Sequence, residues 1–119
     1  MFKLVGLLSR KQGMSTEEFR AYYISHHAPL VVRTSAPQLA YRRNFLSPAD
    51  QTVHDHVNAS GWVDFDVITE MEFRDREHFL KWQMSRSPAD MEAVRRDERE
   101  FLDVSRLRAY VVDCVDVSY

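Results

Sequence analysis

The sequence holds one cysteine, Cys114, which excludes an internal disulfide and a zinc site built on clustered thiolates. Its 3 glycines and 4 prolines in 119 residues are too few for a low-complexity or disordered chain. No apolar run nears the about 20 residues that a membrane-spanning helix needs, so no membrane partner is expected. An excess of one charge is missing too. Sixteen basic residues against 18 acidic ones leave a net charge of −2, so the electrostatic footprint of a nucleic-acid partner is absent. P-loop, Gly-rich dinucleotide and Ser/His/Asp motifs do not occur, and nucleotide cofactors are not indicated. No secretory signal follows Met1, and a cytoplasmic location is the default expectation.

What is present is 45% hydrophobic and 29% charged, enough for one core in a single domain spanning residues 1–119. Phe2 to Arg10 reads as a strand with apolar residues on both faces: Leu4 and Leu8 on one, Val5 and Leu7 on the other. A turn at Gln12-Gly13 precedes a capping box of Ser15 and Glu18, and Met14 can staple onto Phe19. In the helix that follows, Phe19, Tyr23, His26 and Leu30 fall in one stripe at 100° per residue, flanked by Tyr22 and His27. Pro29 lacks an amide donor and clashes one turn back, which predicts a kink or break near Ala28 and a restart at Pro29.

Gln38 to Leu46 reads as a second strand and Asp64 to Phe73 as a third, where Phe65, Val67, Thr69, Met71 and Phe73 share a face. Ser47 to Gly61 between them is a long polar loop of the kind that serves as a lid. Asp75 can cap a short helix carrying Phe79 and Trp82, and Ser87-Pro88 opens another that runs to about Asp103. A Val-rich strand, Arg106 to Val117, closes the chain with Cys114 as a small buried hydrophobe. The order is βαββαβ: a ferredoxin-like α+β fold whose four-stranded antiparallel sheet carries both helices on one face. The opposite face is expected to be apolar and covered by a second copy, giving a homodimer.

His26-His27 is the most informative pair, because imidazole titrates near neutral pH and partial burial tunes it for acid–base work. Ideal geometry puts His26 mid-stripe and His27 at the rim, but the kink leaves the choice open; the bland alternative is a histidine bonded to a frayed carbonyl. Tyr23 and Tyr41 can offer phenol donors to a substrate oxygen, whereas Tyr22 reads as a packed ring with its hydroxyl in water. Arg42, Arg43, Asp64, Asp66 and Glu70 could orient a carboxylate or form a buried acid–base pair, with Asp66 kept as a substrate-binding candidate, but cross-strand ion pairing is the simpler expectation. His54-Asp55-His56 lacks the further ligands a structural metal site needs, so no metal is expected, and His78 reads as a surface residue.

The run from Phe19 through Tyr22, Tyr23, His26 and His27 to Pro29-Leu30 resembles the EthD signature, an aromatic-rich helix leading to His-x-Pro-Leu. Ser87-Pro88, Asp97-Glu98 and Phe101-Leu102-Asp103 are similar to the second block of that family. The resemblance implies a dimeric α+β barrel with a cavity between sheet and helices. It also implies kinship with small cofactor-free decarboxylases, cyclases and lactone isomerases. The family histidine corresponds to His27; the methylmuconolactone methylisomerases, similar around Gly13-Met14-Ser15, place theirs at His26. Tyr23 stands where many EthD members carry tryptophan.

The reading is therefore an enzyme without cofactor, acting on a small hydrophobic or aromatic substrate of aromatic or polyketide-type metabolism. His27 or His26 would move a proton during isomerisation, cyclisation or decarboxylation, with Tyr23, Tyr41 and Asp66 binding substrate. Haem binding and a non-catalytic accessory role are the alternatives.

Overall fold

The computed structural model describes residues 1–48 and 64–119. Their order is β1 (Phe2–Leu8), α1 (Thr16–Tyr22), a π turn (Tyr23–His27), α2 (Ala28–Thr34), β2 (Ala40–Phe45), β3 (Val67–Phe73), α3 (Arg76–Met84), α4 (Pro88–Phe101), a 3₁₀ turn (Val104–Arg106) and β4 (Arg108–Val112). The strands make one antiparallel sheet in the order β2-β3-β1-β4, and the helices pack on one side of it. This is the ferredoxin-like α+β architecture. The polar loop expected from Ser47 to Gly61 falls, from residue 49 onward, outside the described residues, and with it the His54-Asp55-His56 run.

Alternation along the strands sets the two faces. Leu8, Val67 and Phe45 lie level across three strands on the helix side, as do Gly6, Thr69 and Arg43, and Leu4, Met71 and Tyr41. Against this face Phe19, Tyr23, Ala28, Phe101 and Leu102 form one buried cluster with Leu8 and Val67. Val31, Phe73, Trp82 and Val94 form a second, and Tyr41 packs against both.

The opposite face departs from the apolar surface expected. Lys3 Nζ lies 2.8 Å from Glu70 Oε1, and Arg42 pairs with Glu72 at 2.9 Å. Period-2 alternation brings these long side chains to one face, where they pair diagonally across adjacent strands in an ionic lattice; Val5, Leu7, Ile68, Tyr110 and Val112 supply the apolar remainder. The last strand also ends early. Its register pairs Val112 with Lys3, and β1 starts one residue before Lys3, so no partner strand remains beyond that point. Cys114 is accordingly exposed, not buried.

Local chemistry fixes the helix starts as expected. Ser15 Oγ accepts from Glu18 N at 3.1 Å while the Glu18 carboxylate accepts from Ser15 N at 3.2 Å, a reciprocal cap contributing about 1 kcal/mol. Gly13, in the preceding turn, has φ of +86°, which an L side chain rarely adopts. Asp75 and Ser87 cap α3 and α4 through the amides of His78 and Asp90.

Pro29 does not break its helix. The chain passes through one π turn, in which Ala28 N–H donates to Tyr23 O, and continues directly into α2. The wider turn makes room for the proline ring over the carbonyl it would otherwise strike, and it absorbs one extra residue. Everything beyond it is therefore shifted in phase by one position. The inward place of Leu30 passes to Val31, which is buried, and the place of His26 passes to His27.

Candidate active site

His27 is 5% exposed, whereas His26 is exposed with its ring stacked on Tyr22 at 4.7 Å between centroids. The π turn thus resolves which imidazole faces inward. His27 lies against the rings of Phe101, at 4.8 Å, and Tyr23, at 5.5 Å. Its Nδ1 is 2.9 Å from Asp97 Oδ2 on α4. Burial pulls the imidazole below its ordinary pKa, and the Asp97 carboxylate opposes that pull in part. Burial disfavours the charged ring, so Nδ1–H donates to Asp97 and Nε2 is left as the basic atom.

Asp97 serves a second residue. Tyr22 donates its hydroxyl to Asp97 Oδ1, so this phenol is not in water as its place on the helix rim suggested. Burial, reinforced by this bond, raises the Tyr22 pKa. One carboxylate from α4 therefore orients two aromatic side chains that flank the π turn. Asp97 stood out in the sequence only as part of a family-like block. Nothing in the local pattern of α4 signals its partners, because the contact joins residues 70 positions apart.

The phenols expected to act together do meet. The Tyr23 and Tyr41 hydroxyls are 3.0 Å apart, and Tyr23 is also 2.9 Å from Thr69 Oγ1 on β3. Burial raises the pKa of both tyrosines, so both remain protonated and able to donate. Arg43 joins this group. It does not form the cross-strand ion pair expected of it, because its side chain belongs to the helix side of β2, where its guanidinium lies 5.7 Å from the Tyr23 ring and 5.6 Å from that of Tyr41. Arg86, between α3 and α4, covers the Trp82 ring at 4.6 Å.

Asp66 is placed elsewhere. Its carboxylate accepts from Arg10 N at 2.7 Å and from the Arg10 guanidinium at 3.1 Å. With Arg10, Phe45 and Arg106 it lines an open cleft beside the start of α1, whose lining includes none of His27, Tyr23 or Tyr41. His78 is half-buried and structural: Nδ1 accepts from Arg74 N, and Nε2 lies 3.3 Å from Pro37 O. Among the described residues no group of three or more His, Cys, Asp or Glu side chains is placed to hold a metal ion, and no helix is long and apolar enough to cross a membrane.

A family model described as EthD domain matches residues 11–105, which takes in His27, Asp97 and the whole of α1 to α4. Among solved structures, an ethyl tert-butyl ether D (EthD) family protein from Bacillus halodurans superposes with a TM-score of 0.67 at 19% identity, covering 97% of this chain and 100% of its own. A protein of Arabidopsis thaliana matches with a TM-score of 0.64 at 18% identity over 100% of both chains. A solution structure of that same Arabidopsis thaliana protein gives 0.59 at 22%, covering 99% of this chain and 91% of that one. At these identities the likeness extends to the fold. No curated protein matches the chain.

Proposed function

The chain belongs to the EthD domain family, and from that premise we propose that it is a cofactor-independent enzyme of small-molecule metabolism in which His27 transfers a proton. The observation that carries this reading is the pairing of a buried imidazole with Asp97 at 2.9 Å. Fixing Nδ1–H on a carboxylate sets the tautomer, leaves Nε2 as base, and stabilises the imidazolium that forms when a proton is taken. The proposed step is removal of a proton from carbon next to a carbonyl or carboxyl, followed by its return elsewhere in the same molecule or by ring closure. Tyr23 and Tyr41 donate to the substrate oxygen on which negative charge develops. Loss of carbon dioxide from a β-keto acid is the variant in which His27 takes the carboxyl proton of the bound acid at Nε2 and, once carbon dioxide has left, returns it to the enolate carbon. His26, stacked and exposed, has no part in it.

A second copy of the chain completes the proposal. The strip of Val5, Leu7, Ile68 and Val112 on the far face of the sheet, beside an exposed Tyr110, is the surface a homodimer would cover.

The test is solvent-deuterium exchange into small aromatic and polyketide-type ketones and keto acids, followed by proton NMR. His27-dependent exchange is expected. Exchange at the same rate in wild type and His27→Ala, for every compound that exchanges, overturns the reading. A carboxylate on Nδ1 also suits an axial haem ligand. A Soret band on haem titration that vanishes in His27→Ala would replace proton transfer with ligation, and ligands bound but recovered unchanged would point to an accessory binding role.

A further inference from the structure

Two guanidinium groups lie around the phenol pair and have no task in the proton transfer. Arg43 occupies the helix-facing side of β2, level with Thr69, between Tyr41 and Phe45. Burying an arginine on such a face costs desolvation unless its charge is paired. Among the described residues no carboxylate pairs with it. Its Nε is buried without a hydrogen-bond partner, and its guanidinium is set against two aromatic rings.

Arg86 repeats the arrangement beside the second core cluster, against which Tyr41 also packs. Its guanidinium is carried on Trp82 and its Nε is likewise buried and unpartnered. Its positive charge is felt at Tyr41 and at His27. The acids within reach do not answer the two cations. Asp97 is committed to His27 and Tyr22. Glu98 makes no ion pair with either arginine among the described residues; burial raises its pKa, and its charge and that of Asp90 reach Arg86 from beyond ion-pair distance. Two partly buried and incompletely hydrogen-bonded guanidiniums, one set against the phenol rings and one on Trp82, suit the recognition of an anion.

We infer that Arg43 and Arg86 act as an anion clamp, and that the substrate class is carboxylic acids bearing a second oxygen, with the carboxylate on the guanidiniums and that oxygen on the Tyr23–Tyr41 pair. The inference deepens the reading of His27 at the same site and rests on it only for what happens after binding. Arginine suits this task better than lysine, because its planar fork meets both carboxylate oxygens and its flat face rests on an aromatic ring. A positive wall also lowers the cost of the enolate that forms when a proton leaves carbon beside the carboxylate.

The experiment is calorimetric titration of the whole protein with salicylate, its neutral isostere salicylamide, and β-keto acids of similar size. Salicylate should bind at least about tenfold tighter than salicylamide, the minimum for one charge-assisted hydrogen bond of about 1.5 kcal/mol. Arg86→Met should weaken salicylate about 10- to 100-fold and leave salicylamide unchanged. Arg43→Met should do the same; because Arg43 faces the core, its circular dichroism is checked first, and Arg86→Met carries the test alone if Arg43→Met does not fold. Equal affinity for acid and amide, no binding of any carboxylate at millimolar concentration, or undiminished salicylate binding by Arg86→Met would each overturn the inference. His27→Ala separates the two proposals, since it should bind salicylate as wild type does. Arginine-independent binding with His27-dependent exchange removes the clamp and keeps the base; arginine-dependent binding with His27-independent exchange does the reverse.

Discussion

His27 and Asp97 meet at 2.9 Å between Nδ1 and Oδ2, although one sits where a π turn passes into α2 and the other lies midway along α4. Two segments distant in the chain are thereby joined by a charge-assisted bond inside an aromatic shell, where such a bond is strongest.

Replacing His27 by Ala should lower turnover by about 10²- to 10⁴-fold, the usual contribution of a positioned acid–base group. His26→Ala should stay within about twofold of wild type, because an exposed ring stacked on Tyr22 contributes little to an inner site. Steady-state rates for the two variants on one substrate provide the comparison. A larger loss in His26→Ala than in His27→Ala would reverse the assignment.

The pH response follows from the lowered His27 pKa. Between its ordinary value of 6.5 and the lower folded value, the unfolded chain binds the proton better than the folded one. Stability from this group is thus complete above about pH 6.5 and is lost as the pH falls toward the folded pKa. Urea midpoints measured from about pH 8 to about pH 5 should fall more steeply for wild type than for His27→Gln. Parallel curves would mean that the ring is not held neutral.

Asp97→Asn keeps the shape and removes the charge. The amide oxygen can accept from Tyr22 or from His27 but not with the strength of a carboxylate, and a loss of about 1–3 kcal/mol in stability is expected. Because Asp97 raises the His27 pKa against burial, the imidazole should titrate lower still in the variant, by NMR. An unchanged or higher His27 pKa would show that the bond is not formed in solution.

How much of this was legible in the chain depends on the range of the interaction. The capping box at Ser15 and Glu18, the caps at Asp75 and Ser87, and the alternation of β3 are local, and the architecture assembles from them. The meeting of Tyr23 with Tyr41 follows from faces that periodicity already defines. Three features were not readable. The choice between His26 and His27 hangs on whether Pro29 breaks a helix or widens it, which the local pattern does not decide. Asp97 resembles any other acid on the polar side of a helix until α4 is laid across the π turn. Alternation already set Arg43 on the face of Tyr41 and Phe45, but that it meets two aromatic rings there in place of a cross-strand carboxylate was not legible.

Phe101 is the packing centre of the site. It is fully buried, with its ring 4.8 Å from His27, 5.2 Å from Tyr22 and 5.3 Å from Tyr23. Phe101→Ala should cost about 3–5 kcal/mol in urea denaturation and free the imidazole to turn. A loss below about 1 kcal/mol would mean that neighbouring side chains refill the space.

The widened turn from Tyr23 to His27 bears on how relatives are compared. A homologue one residue shorter in this stretch would wind as an ordinary helix and still aim its own imidazole at the equivalent spot. Written without a gap, its histidine would be matched to the outward His26, and the conserved chemistry would look like a substitution. Deleting Ser25 from this protein together with Pro29→Ala, which removes the ring that the wider turn accommodates, should accordingly erase the bulge, keep Val31 and His27 inward, and leave the histidine in place under a new number.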